Sequence, residues 1–221
     1  MCEALDNMDI LCFASDASVA CTVEAIRGSH KPFDPRIHNS RPHPGQIMSA
    51  ARISSLLEDS EIKLSHVNCD RVQDAYSIRC SPQVHGPVID MLRESRRILE
   101  IEINSSTDNP LVFTEGDNTE VISGGNFHGQ YVALSSDSIS IACHELASIS
   151  ERRINQILDP KWSGHSAFLA KEEGLESDLR LLRHANEDCI QMTRNGSMDA
   201  SLPFHEATSK SSSCLLYTSP S

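Results

Sequence analysis

A mostly α-helical fold is what the sequence predicts: a bundle of long helices with one small β hairpin or flap, incomplete by itself. The strongest observation is the run of nearly thirty residues after Gly129 that holds no glycine or proline and ends at Asp159 and Pro160. Leu134, Ile141, Ala142, Leu146, Ile149 and Ile157 recur there at helical intervals, so one helix is expected from about Gln130 to Leu158, roughly 45 Å long at about 1.5 Å per residue. Few isolated domains of 221 residues can cover such a rod, so the bundle is expected to be completed by other chains or by further sequence. The second observation is the stripe Ile89, Leu92, Leu99 and Ile103, set mostly apart from Arg93, Arg96, Arg97 and Glu100. It predicts another long helix, opened by Pro87 and ending near residues 104–106. The third is the turn Thr-Asp-Asn-Pro at 107–110, followed by β-type runs at 111–113 and 121–122 on either side of a polar stretch, which predicts the hairpin or flap.

Before these elements, Pro32, Pro35, Pro42 and Pro44 crowd residues 32–45 and predict an extended, turning connector, because proline interrupts a regular helix interior. Residues 46–57 follow as a helix with Ile47, Ala50, Ala51 and Leu57 on its apolar face and acidic Glu58 and Asp59 beyond. Beyond residues 174–177 the character changes to Asp-Leu-Arg-Leu-Leu-Arg, then to a serine-rich polar stretch and the tail Cys-Leu-Leu-Tyr-Thr-Ser-Pro-Ser. Three parts are therefore expected: a helical unit over 1–177, a divergent or frame-shifted segment over 178–213, and a non-native tail over 214–221.

Charge and composition narrow the function. Nineteen basic against thirty-one acidic residues give a net charge of -12, and no basic run exceeds the pairs Arg96–Arg97 and Arg152–Arg153. Nucleic acid and anionic membrane are poor partners for such a chain, since the phosphate term would be repulsive. Glu3, Asp6 and Asp9 stand where a secretory signal wants positive charge, and no apolar stretch approaches spanning length, so a soluble cytoplasmic protein is expected. Eight cysteines without a CxxC pair read as reduced thiols. His66 and Cys69 with Cys80 and His85 could supply zinc ligands on paper, but structural zinc normally shows two tight ligand pairs, and no metal is expected.

Two segments carry chemistry. In residues 71–80, Arg-Val-Gln-Asp-Ala-Tyr-Ser-Ile-Arg-Cys, a carboxamide (Gln73), a phenol (Tyr76) and a guanidinium (Arg79) are spaced by three, which can set them along one side of a turn or short helix. Arginine forks onto carboxylates, tyrosine can give or take a proton, and glutamine can orient either. The set suits a small amino or carboxylic acid. Residues 122–129, Ile-Ser-Gly-Gly-Asn-Phe-His-Gly, form a polar, glycine-loosened loop before the longest helix. The plainer roles for these residues are an ion pair of Arg79 with Asp70 or Asp74, packing by Tyr76, turning by Gly124 and Gly125, and a helix cap from His128.

Five strings in one order then resemble a known family: EAIRG with FDPRIHNSRPHPGQ (24–28 and 33–46), DRVQDAYSIRCSPQVHG (70–86), NSSTDNPL (104–111), ISGGNFHG (122–129) and ISERRI (149–154). They resemble the aromatic amino acid ammonia-lyases and aminomutases over about residues 20–177. The wording around 69–86 is closer to the histidine branch than to the phenylalanine and tyrosine branches. The resemblance implies a long-helix bundle of the ammonia-lyase type, a homotetramer with active sites assembled from several subunits, and non-oxidative release of ammonia from histidine to give urocanate. It implies an electrophilic methylidene-imidazolone made from an internal Ala-Ser-Gly. By motif, Arg79 would pair with the substrate carboxylate and Tyr76 would support the electrophile or the elimination in a neighbouring subunit's site. Gln73 would hydrogen-bond near substrate or prosthetic ring, Phe127 would wall the pocket, and Asn109 would hold structure beside the site.

The chain also departs from that pattern. Ala-Ser-Gly does not occur in it; the nearest string, residues 14–16, is Ala-Ser-Asp. The precursor is expected upstream, which makes this the middle part of a longer enzyme, inactive alone. The family's Gln-Glu-Asp motif has only a faint echo at 185–188, Ala-Asn-Glu-Asp, which gives Glu187 no firm role. A sister activity on phenylalanine or tyrosine and a non-catalytic helical assembly module are the alternatives. A hydrolase built on residues 123–125 and His128 lacks the strained elbow and a third member.

Overall fold

The computed structural model describes residues 1–65 and 73–169. The first element is α1 (Cys2–Ala25), to which the patterning above assigns nothing, although Leu5, Met8, Cys12, Val19 and Val23 are all buried along it. Its stripe is broken in the middle by Ser15 and Asp16, which hides the period. A 3₁₀ turn at Lys31–Phe33 and a short helix α2 (Pro35–Asn39) come next, then α3 (Pro44–Leu56) and α4 (Glu61–Ser65). The one-turn α5 (Tyr76–Arg79) leads into α6 (Ser81–Ile103). Strands β1 (Leu111–Glu115) and β2 (Asn118–Ile122) precede α7 (Gln130–Leu158), α8 (Pro160–Ser163) and a 3₁₀ turn at Ala167–Leu169.

The longest helix has the bounds its periodicity predicts. The proline-rich segment does not. It is not merely extended, because Pro32, Pro35 and Pro44 sit in the first turns of helical pieces, where the missing N–H costs nothing. Asp34 caps α2 by accepting from the Arg36 backbone N–H at 2.9 Å. Hydrogen bonds from the Arg36 guanidinium, then this backbone bond, hold the Asp34 carboxyl pKa down at about 2. Pro87 likewise does not open α6: the helix starts at Ser81 with Pro82 in its first turn and runs through Pro87. Packing of α6 against α1, α3 and α7 offsets an interior proline that costs about 3 kcal/mol in an exposed helix.

Directions follow from the contacts. Arg96 of α6 binds Asp6 and Asp9 near the start of α1, at 3.1 and 2.7 Å, and His85 binds Asp16 farther along it, so α1 and α6 are antiparallel. Ser77, just before α6, meets Gln156 near the end of α7, while Val132 lines a cleft with Leu99 and Ile103. Hence α6 and α7 are antiparallel too.

Two apolar clusters fill the bundle. Leu5, Met8 and Cys12 meet Val88, Ile89 and Leu92 of α6 and Ile139, Ala142 and Leu146 of α7. Val19, Ala20, Val23 and Ile26 meet Phe33, Ile53, Leu57 and Ile78. Between the two sets on α1 lies Asp16, fully buried. Its Oδ1 accepts from Ser49 Oγ at 2.5 Å and from His85 Nδ1 at 2.8 Å, and Arg52 approaches Oδ2 at 3.5 Å. A buried carboxylate costs several kcal/mol unless paired, so this polar layer fixes how α1, α3 and α6 face one another.

His85 Nε2 is buried without a partner, which fits a neutral ring carrying its proton on Nδ1. Burial pushes the His85 pKa down; the Asp16 bond opposes that and the Arg153 charge adds to it. The sign follows from linkage: an unfolded imidazole takes up a proton near pH 6.5, and the folded one resists. The stabilisation is present above that pH and is lost as pH falls through the lowered folded value. The melting temperature is expected to drop on acidification below about pH 6.5, and His85→Asn is expected to flatten that part of the profile; equal slopes in both proteins would refute the assignment.

The hairpin pairs Leu111 with Ile122 through to Glu115 with Asn118, leaving Gly116 and Asp117 as the turn. Gly116 has φ +58°, the left-handed conformation that this tight turn asks of its first central residue. Val112, Phe113, Val121 and Ile122 are all exposed. An isolated two-stranded hairpin with such a surface is marginal in water. No helix among the described residues is long and apolar enough to cross a membrane.

Candidate functional site

Four residues make one helical turn, too short to persist unaided, yet α5 carries two of the candidate residues. It is pinned by Ile78, which is buried in the second apolar cluster, and by Ser77. The Ser77 hydroxyl donates to Gln156 Oε1 at 2.6 Å. Its carbonyl accepts from Ser81 Oγ at 2.9 Å and from an Arg153 nitrogen at 3.4 Å. Before α5, Asp74 accepts from the Ser29 backbone N–H at 2.6 Å, tying the approach to the loop after α1.

Tyr76 and Arg79 project together from this turn. The Arg79 guanidinium carbon stands 4.5 Å from the Tyr76 ring centroid, a cation–π distance. Tyr76 is 70% exposed. Arg79 is half-buried, and its Nε is buried without a hydrogen-bond partner. Among the described residues it forms no ion pair with Asp74; Asp70 lies outside them. A cleft of about 350 Å³ is lined by Arg79 and Gln73 with Ser29, Lys31, Asp74 and Gln83. Tyr76 lines a neighbouring cleft of about 480 Å³ with Arg152, Asn155, Gln156 and Trp162. Gln73 is exposed and precedes the helix, so the spacing by three joins it to Arg79 through a shared cleft rather than a continuous helical face.

Phe127 and Asn109 lie elsewhere. Phe127 is 61% exposed and lines a cleft of about 380 Å³ with Leu99, Ile103, His128 and Val132. Asn109 Oδ1 accepts from the Gly124 backbone N–H at 2.7 Å and from Ser123 Oγ at 3.0 Å, fastening the loop that carries Phe127. Ser123 thus donates to Asn109. The cap of α7 is Gly129, with no side-chain cap bond, so His128 does not play the capping part considered for it. Gly124 and Gly125 have no positive φ, and a Cβ on either would meet nothing within 4 Å. Nothing in the described chain requires glycine there.

The candidate residues therefore form two clusters, at opposite ends of α6. That helix has 23 residues, which at about 1.5 Å each sets the clusters on the order of 34 Å apart. One copy of the described fold cannot bring Arg79 and Phe127 around one small molecule. Sequence reasoning named both clusters and missed their separation, as well as Ser77, Arg153 and Gln156, which hold one of them. Arg153 was within reach, since it stands in the ISERRI string; Gln156 carries no such signal. His66, Cys69 and Glu187 lie outside the described residues. His85 is committed to Asp16.

The family model for aromatic amino acid lyases matches residues 1–210, farther in both directions than the five strings reach. The histidine ammonia-lyase of Myxococcus xanthus (strain DK1622) is 48% identical over 188 residues, covering 85% of this chain and 37% of that protein. Among solved structures, the histidine ammonia-lyase of Trypanosoma cruzi matches with TM-score 0.78 and 38% identity over 88% of this chain and 35% of its own. The phenylalanine ammonia-lyase of Rhodosporidium toruloides matches with TM-score 0.79 and 29% identity over 88% of this chain and 29% of its own. Shape does not separate the two activities, whereas identity favours the first. The chain spans between 28% and 38% of the length of the histidine ammonia-lyases it matches.

Proposed function

We propose that this chain, which belongs to the aromatic amino acid lyase family, is part of a histidine ammonia-lyase, a cytoplasmic homotetramer that releases ammonia from L-histidine to give urocanate. The observation that carries the reading is the 48% identity to a histidine ammonia-lyase across 85% of the chain. The site chemistry supports it. Arg79, half-buried and with an unsatisfied Nε, would fork onto the substrate carboxylate, and the Tyr76 phenol beside it would serve the proton transfer or support the electrophile. Gln73 shares the Arg79 cleft and would orient the bound acid. Phe127 would wall the pocket, with Asn109 bracing its loop.

The two-cluster geometry supports assembly. A site holding both Arg79 and Phe127 needs these ends to come from different copies, and the exposed apolar hairpin needs a cover. The open space beside Gly124 and Gly125 fits a close approach from outside the described chain. The methylidene-imidazolone of the family has no precursor within these 221 residues, because Ala-Ser-Gly does not occur in them. When bound, that electrophile would make the amino group a better leaving group or acidify the neighbouring carbon.

The test is direct. The full-length protein is expected to form urocanate from histidine. Turnover of phenylalanine or tyrosine instead would move the assignment to a sister activity. Full activity after Arg79→Ala and Tyr76→Phe would leave only a helical assembly role for this segment. The 221-residue chain purified alone is expected to form no urocanate; product from it would overturn the dependence on residues outside it.

A further inference from the structure

We propose that Gln156, together with Arg153, is a positioning residue: from α7 it fixes the rotation of α5 through Ser77 and so sets where Tyr76 and Arg79 point. The inference deepens the ammonia-lyase reading and rests on it for its kinetic consequences. Adjacent residues of a helix point about 100° apart, and residues three apart lie close to one face. Tyr76 and Arg79 therefore share one side of the turn, and their stacking at 4.5 Å follows. Ser77 and Ile78 occupy the rest of it.

Those two anchors are unlike in kind. Ile78 is buried among apolar side chains, a non-directional contact that holds α5 down without fixing its rotation. Ser77 supplies direction. Its hydroxyl donates to Gln156 Oε1 at 2.6 Å, and its carbonyl faces Arg153 at 3.4 Å. Arg153 is itself held rigid: it is 2% exposed and donates to Ser150 Oγ at 2.9 Å and Ser18 Oγ at 3.2 Å. Burial lowers its pKa to about 10, which leaves it charged at neutral pH. The short turn is thus oriented by a long helix whose other end lies beside Phe127. Both ends of α7 bear on site residues, one through Gln156 and the other through the loop that leads into Gln130.

Arg153 is a poor probe, since replacing a buried cation threatens the fold. Gln156 and Ser77 are only half-buried, and the experiment uses them in the full-length protein. Gln156→Leu keeps bulk and removes the acceptor. It is expected to lower kcat and raise KM together, by about ten- to a hundredfold in kcat/KM, the scale of a misplaced catalytic group. Ser77→Ala is expected to match it, and the double variant to be no worse than either single one. Gln156→Glu retains an accepting oxygen and is expected to recover most of the loss. Hydrogen exchange at the Arg79 and Cys80 amides, which donate to Ala75 and Tyr76 carbonyls at 3.0 Å, is expected to quicken in Gln156→Leu with little change in melting temperature. Wild-type kinetics in Gln156→Leu, multiplicative effects of the two single variants, or no rescue by Gln156→Glu would overturn the proposal. If the unaltered protein turned over no aromatic amino acid, the lyase reading would fall. The exchange measurement would then still decide positioning, unchanged exchange refuting it.

Discussion

Gly86→Ala is expected to destabilise the fold by about 3 kcal/mol, even though alanine is the better helix former by about 1 kcal/mol. The reason is a helix crossing at backbone distance. A Cβ on Gly86 would stand 2.5 Å from the Gln46 nitrogen and 2.6 Å from the Gln46 Cα. Both are main-chain atoms, so no flexible side chain can swing aside. The fit is reciprocal, because a Cβ on Gly45 would overlap the Gly86 carbonyl oxygen and stand 2.9 Å from the Asp90 Cγ. Asp90 in turn accepts from the Gly45 backbone N–H at 2.9 Å. Separating the helices would also disturb the Asp16, Ser49 and His85 contacts next to the crossing. For a cooperative unit of 150–250 residues a loss of this size corresponds to a melting temperature lower by roughly 6–12 °C. A rise in melting temperature would mean that intrinsic helix propensity, not the close approach, governs this position.

The second large effect concerns function. Arg79→Met in the full-length protein is expected to cost about 1.5–3 kcal/mol of substrate binding, the worth of a charge-assisted hydrogen bond to a carboxylate, or roughly ten- to 150-fold in kcat/KM. The loss should fall mainly on KM if the carboxylate is held equally in the ground and transition states. Arg79→Lys keeps the charge but loses the planar fork and the ring stacking on Tyr76, so only partial activity is expected. Histidine analogues without a carboxylate should barely distinguish the variants. An unchanged KM for histidine in Arg79→Met would remove Arg79 from the substrate contact. The charge of Arg79 would then have to serve the local fold alone.

How much was legible in the sequence follows from the range of each interaction. The bounds of α7 and the place of the hairpin are set by neighbours in the chain: glycine and proline as breaks, apolar residues at a fixed interval, and a turn before two β-type runs. Local sequence carries those rules. The proline-rich segment was misread because proline both breaks and opens helices, and the outcome depends on whether a following turn can pack. The stretch at α1 went unassigned because a buried aspartate interrupts its stripe. Only the bonds to Ser49 and His85, 33 and 69 residues away, make that aspartate part of a core.

The same distinction divides the candidate site. By itself the sequence determined the chemistry, since a guanidinium, a phenol and carboxamides are what the residues are wherever they fold, and their order carries the family likeness. Tertiary structure alone decided their arrangement: Gln73, Tyr76 and Arg79 at one end of α6, Asn109 and Phe127 at the other, with Gln156 of α7 gripping through Ser77 the turn that carries Tyr76 and Arg79. Chemical identity is a property of single residues. Distance between residues far apart in the chain is set by the rigid length of the helices that separate them, and only packing fixes how those helices run.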